Sequence, residues 1–119
     1  MFRVLIMAVA VLVGSSVSQA KDRKIWYVYC EGYAHGVNWA VFSRNFWQSP
    51  VTENYGRRVG SAAEQFIERN HRVPLEGCSG VQFFDETSAK YSRDRTVRLH
   101  KRMGDKIYFV NLPVQVLSQ

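Results

Sequence analysis

Ile25-Trp26-Tyr27-Val28-Tyr29-Cys30 is the stretch on which the reading of this chain turns. Its aromatic and β-branched residues suit a pleated, half-buried surface and mark a strand. After it, Glu31-Gly32-Tyr33-Ala34-His35-Gly36 brings two glycines within six residues, the sign of a connection. Asn38-Trp39-Ala40-Val41-Phe42-Ser43 then reads as a second strand. Residues 25 to 43 are therefore expected to form an antiparallel hairpin with a loop of about seven residues, and Gln48-Ser49-Pro50 ends the unit.

Downstream the period changes from two to that of a helix. Ser61-Ala62-Ala63-Glu64 has the Ser-x-x-Glu form of a capping box, and Ala62, Ala63, Phe66 and Ile67 then share one face. A helix from about Gly60 to His71 follows, with Glu64, Glu68 and Arg69 on its solvated side. Pro74, Gly77 and Gly80 break the chain around Cys78, and Val81-Gln82-Phe83-Phe84 is a short third strand. Thr87 or Ser88 caps a second helix reaching about Met103, with Ala89, Ser92, Thr96, Leu99 and Met103 as its inward stripe. Gly104 stops it, and Lys106 to Asn111 forms a last strand. The competing reading turns Thr96 to Lys101 into a strand paired with 106 to 111. The expected class is α+β: two layers, one mostly antiparallel sheet with two helices, in the order β-β-α-β-α-β.

The first twenty residues stand apart from this domain. Met1-Phe2-Arg3, an apolar run from Val4 to Val13, and Ser18-Gln19-Ala20 read as the charged start, hydrophobic region and cleavage site of a signal peptide. The division is a leader over 1–20 and a single domain over 21–119, placed in the periplasm or secreted. An uncleaved anchor is the alternative, although the run is short of the ~20 residues of a membrane span. No later stretch approaches that length, so no span is expected after cleavage. With 46% apolar residues the chain can build a core, which argues against a disordered protein. Cys30 and Cys78 are its two cysteines, and in an oxidising compartment a Cys30–Cys78 disulfide is the default. Neither sits in a C-x-x-C pair, so a redox role is disfavoured.

An aromatic strand ending in Cys30, a strand with Val41-Phe42, a helix with Phe66, Cys78 followed by a phenylalanine strand, Ala89, Arg93 and a closing strand together resemble small exported bacterial proteins with a single disulfide. That resemblance covers nearly the whole mature chain and implies no activity. The alternation of strands with two helices is also similar to the sporulation-related repeat domain, which binds peptidoglycan. Such domains begin β-α-β, whereas this chain is read as beginning with a hairpin, so the likeness transfers no binding residue.

Chemical motifs are sparse. There is no glycine-rich phosphate loop and no Gly-x-Ser-x-Gly, and His35, His71 and His100 fall in three different elements, so neither a metal nor a cofactor is expected. Glu31 and His35 flank the hairpin loop, where a carboxylate could orient an imidazole for acid/base work; alternatively, both simply face water. Arg93, Arg95, Arg98, Lys101 and Arg102 oppose a single Asp94, with Arg95, Arg98 and Arg102 forming one outward row on a helix. The formal net charge of the whole chain is +6. The row could grip an anionic partner or be only a solvated face.

The aromatic load is the other feature. Trp26, Tyr27, Tyr29 and Trp39 cannot all point toward the helices of a two-layer fold, so an open sheet face would carry large aromatics. Otherwise the Phe46-Trp47 segment or the C-terminal tail covers that face. Aromatics beside basic residues would suit single-stranded nucleic acid in a cytosolic chain, a partner that export disfavours. The resulting expectation is an exported, non-enzymatic binding or interaction module. It would contact an envelope protein or an anionic cell-wall polymer through Trp26, Tyr27, Tyr29, Trp39, Arg95, Arg98 and Arg102. The alternative is a small periplasmic hydrolase, or hydrolase inhibitor, using the Glu31 to His35 loop.

Overall fold

The computed structural model describes residues 23–119. The leader read at 1–20 and its cleavage before Lys21 lie outside the described residues. The elements are β1 (Arg23–Ala34), β2 (Val37–Ser43), β3 (Trp47–Pro50), α1 (Tyr55–His71), β4 (Gly77–Phe83), α2 (Glu86–Arg102), β5 (Lys106–Val110) and a single turn, α3 (Val114–Leu117). The class is α+β, with the expected order supplemented by the short β3 and α3.

β1 is the axis of the sheet. Ile25 and Trp26 pair with both β3 and β4, and Tyr29 to Glu31 pair with both β2 and β4. β4 therefore pairs with one edge of β1 from Ile25 to Glu31, while β2 and β3 share the other. All these pairings are antiparallel, and β5 adds to β2 in parallel. Between β2 and β3 the chain leaves the ladder, and the Val28 N–H donates instead to Ser43 Oγ at 2.8 Å. A side chain thus satisfies a buried donor that the break would have orphaned.

The hairpin is tighter than expected. β1 continues through Gly32 to Ala34, and the turn is the pair His35-Gly36, with φ of 53° and 77°. Two consecutive positive-φ residues give a twist that matches antiparallel strands. Gly32 serves packing rather than turning: a Cβ there would lie 2.2 Å from the Pro74 carbonyl oxygen.

Side chains alternate across the sheet, and both faces are covered. Trp26, Val28, Cys30 and Val41 pack with Tyr55, Val59, Ala63 and Ile67 of α1, and with Val116 of α3. Tyr27, Ala40 and Phe42 pack on the other side with Ala89 and Val97 of α2. The expected two layers are thus three, α/β/α. Both faces of β1 carry large apolar side chains, and an uncovered face would have left several of them in water.

α1 begins at Tyr55, five residues before the expected start, with Asn54 at its entry in the left-handed region. Ser61 lies inside the helix rather than capping it. Gly56 and Gly60 are poor helix formers in isolation, but they let the helix backbone settle on β4. A Cβ on Gly60 would sit 2.3 Å from the Cys78 carbonyl oxygen, and one on Gly56 2.8 Å from that of Gly80. The N-terminal turn is fastened by Tyr55, whose hydroxyl receives the Trp47 indole N–H at 2.9 Å, contacts Ser49 Oγ at 2.7 Å and donates to the Leu117 carbonyl at 2.5 Å.

The Cys30–Cys78 disulfide is present and joins residues directly opposite each other on β1 and β4. Among the described residues no helix is long and apolar enough to cross a membrane.

Candidate binding surface and a buried histidine network

The cap of α2 falls two or three residues before the expected Thr87 or Ser88. Asp85 holds the cap position and accepts the Ser88 N–H at 2.7 Å, a bond that keeps its carboxyl below the ordinary carboxylate range. Thr96 to Lys101 is helix throughout, so the competing strand reading fails.

The helix is also rotated from its expected orientation. Ala89, Val97 and His100 are buried, while Leu99 and Met103, assigned to the inward stripe, are 52% and 57% exposed. Ala89 and Val97 pack over Tyr27 and Phe42, and His100 lies against Tyr29 and Phe42, which leaves Leu99 and Met103 on the outer side.

This rotation sorts the arginines. Arg95, Arg98 and Arg102 are exposed, as the outward row required. Arg93 turns inward: its Nη1 donates to the Ser43 and Arg44 carbonyls at 3.2 and 2.9 Å, and its guanidinium lies 4.5 Å over the Phe46 ring. It braces the break between β2 and β3. The three outward arginines line a groove of about 700 Å³ together with Phe83 of β4 and Tyr91, Ser92, Thr96 and Leu99 of α2. No carboxylate is in that lining.

The aromatic candidates divide differently. Trp26 is 4% exposed with its ring edge-on to Tyr55, and Tyr27 is 3% exposed, stacked on Phe83. Both belong to the core. Trp39 is half-buried and stacks on Tyr108 with 5.2 Å between centroids. The two sheet faces that might have stayed open are therefore occupied by α1 and α2.

Tyr29 belongs to a network that sequence reading did not assemble. Its hydroxyl donates to Glu31 Oε1 and contacts His100 Nε2 at 2.6 Å, while His100 Nδ1 contacts Asp105 Oδ2 at 2.7 Å. His100 and Asp105 are buried there, whereas Glu31 faces solvent. Burial first, and then the bond to Glu31, pushes the Tyr29 phenol well above its ordinary range, so this group keeps its proton. The Glu31–His35 pairing does not form: His35 is exposed in the turn, and the imidazole near Glu31 is that of His100, 4.0 Å away. The only sequence signal for the network was a histidine among the apolar positions of α2 with an aspartate just past the helix stop.

Among the described residues no three His, Cys, Asp or Glu side chains converge as a metal-ion site. The chain matches no family model, no curated protein and no solved structure.

Proposed function

We propose that this chain is an exported, non-enzymatic binding module of the cell envelope, periplasmic or secreted, whose contact surface is the arginine face of α2. The observation that carries this reading is the groove in which Arg95, Arg98 and Arg102 stand exposed beside Phe83, Tyr91 and Leu99. Cations with no carboxylate among the lining residues attract an anionic partner, an envelope protein or an anionic envelope polymer, and the apolar residues add contact area once it is seated. The apolar leader segment and the disulfide support export. Trp26 and Tyr27, being core residues, take no part in the contact.

The test compares the oxidised protein with its Arg95→Ala/Arg98→Ala/Arg102→Ala variant. Both would be run in co-sedimentation with purified cell-wall sacculi and in pull-downs from a solubilised envelope fraction, at low and physiological salt. Captured material should fall with salt, which screens exposed charges over about 8 Å at physiological strength, and should fall again in the variant. Capture insensitive to both would make the arginine row a solvated face.

A further inference from the structure

We propose that Glu31, Tyr29, His100 and Asp105 form a proton-operated latch: three shared protons hold the Glu31 carboxylate inward, and loss of one near neutral pH turns the Tyr29 hydroxyl to His100 and releases Glu31 to solvent. None of these four residues lines the arginine groove, so the latch stands apart from the binding-module reading.

The number of protons fixes the states open to this chain of groups. Three contacts join the four side chains: Tyr29 Oη to Glu31 Oε1, Tyr29 Oη to His100 Nε2 at 2.6 Å, and His100 Nδ1 to Asp105 Oδ2 at 2.7 Å. Each contact needs one hydrogen between its heavy atoms. A phenol carries one and a neutral imidazole one, so with both carboxylates ionised a neutral His100 would leave one contact empty. When Tyr29 donates to Glu31, Nε2 must donate to the phenol oxygen and Nδ1 to Asp105, which makes His100 an imidazolium. Placing a proton on either carboxylate instead moves it along the chain without changing the number.

Loss of one proton to water leaves two for three contacts. The His100 and Asp105 side chains are enclosed, 9% and 6% exposed, so an unpaired atom there would go without a partner. The Glu31 side chain is 61% exposed, and water can replace what it loses. Glu31 therefore gives up its contact: Tyr29 donates to the bare Nε2, Nδ1–H stays on Asp105, and the carboxylate turns away from a phenol oxygen that no longer offers it a hydrogen. A cleft of about 190 Å³, bounded in part by Glu31, His100 and Asp105, gives the proton a path to solvent.

Other charged and titratable groups surround His100. From β1, Tyr27 turns its hydroxyl to Ser92; before β4, Glu76 lines the same cleft; β2 contributes Trp39 and Phe42, which do not titrate. On α2 itself Lys101 and Arg102 are exposed, and on β5 the Lys106 ammonium lies 5.7 Å over the Trp39 ring. Carboxylates, ammonium groups and guanidinium groups ordinarily titrate outside the neutral range, as do phenols, which leaves the imidazole as the group that changes there.

The test uses the oxidised protein in a His35→Asn/His71→Gln background, where His100 is what remains of the chain's three histidines. Ring-nitrogen NMR should show hydrogens on both Nδ1 and Nε2 at about pH 5.5, and on Nδ1 alone at about pH 8.5. The Glu31 carboxyl carbon should shift with the same midpoint as the ring, above the range in which a free glutamate titrates, and Overhauser contacts between the Tyr29 ring edge and the Glu31 side chain should weaken over that step. Glu31→Ala changes an exposed side chain. The ratio of its urea unfolding constant to that of the background protein should be about fivefold greater at about pH 5.5 than at about pH 8.5, because the contact exists in the fully protonated state and is lost as pH rises. Absence of a hydrogen on Nε2 at the lower pH, a Glu31 carbon that does not follow the ring, or a Glu31→Ala ratio independent of pH would overturn the latch. Each of these results would leave the arginine-face reading standing.

Discussion

Gly60→Ala is the substitution on which the packing of α1 against β4 can be judged, because two physical effects of opposite sign meet there. In a helix interior, alanine is favoured over glycine by about 1 kcal/mol, so a position free of contacts should be stabilised. At Gly60 the new methyl would lie 2.3 Å from the Cys78 carbonyl oxygen, 2.8 Å from its carbon and 2.9 Å from Ser79 Cα, where ordinary contact begins near 3.4 Å. All three atoms are backbone, in a strand fixed by pairing and by the disulfide, so α1 must withdraw by about an ångström. That shift would open the contacts of Val59, Ala63 and Ile67, all fully buried. Overpacking of this kind costs about 3 kcal/mol at the upper end of its usual range, which leaves a net loss of ~2 kcal/mol after the helix gain. At 4 to 8 °C per kcal/mol for a domain of this size, Tm should fall by about 8 to 16 °C in thermal melts of the oxidised protein. Gly77→Ala, where an added Cβ meets nothing within 4 Å, is the control and should stay within about 3 °C. An unchanged or raised Tm for Gly60→Ala would refute the close approach of α1 to β4.

Tyr55→Phe should cost ~2 kcal/mol, since it removes the hydroxyl shared by Trp47, Ser49 and the Leu117 carbonyl. Hydrogen exchange should quicken in Val114–Leu117, and unaltered protection there would deny that Tyr55 anchors α3. Tyr29 has a folded-state pKa raised above the unfolded value, so its contribution is complete below about pH 10 and is lost as pH climbs toward the folded value. Urea titrations from pH 8 to 11 should therefore show the stability gap between wild type and Tyr29→Phe narrowing above about pH 10. A constant gap would mean that the phenol is not shielded. Replacing Cys30 and Cys78 together by Ala frees a loop with a sequence separation of 48, an entropic loss of about 4 kcal/mol by the chain-entropy model. A Tm within a few degrees of wild type would show that the cross-link contributes little to stability.

Elements whose signals are local can be read from the residues alone. The aromatic β-branched run of β1, the helical period of Ala63 and Ile67, the stop at Gly104 and the pairing of two lone cysteines needed no knowledge of the fold, and the α+β class followed from their order. So did the exposure of Arg95, Arg98 and Arg102, because three like charges on one helical face have no place inside. Other features depend on contacts between distant segments. Gly56 and Gly60 argue against helix when read locally, yet close approach to β4 makes them part of α1. Gly32 suggests a turn, but it stays in β1 because Pro74 crosses above it. Leu99, expected inward, is exposed and its neighbour His100 is buried instead, since a histidine can be buried once Tyr29 and Asp105 satisfy both ring nitrogens. Hydropathy along one helix does not register partners 71 residues away. The faces of the sheet follow the same logic: alternation divides the aromatics into two sets, but only the positions of α1 and α2 show that both sets are covered.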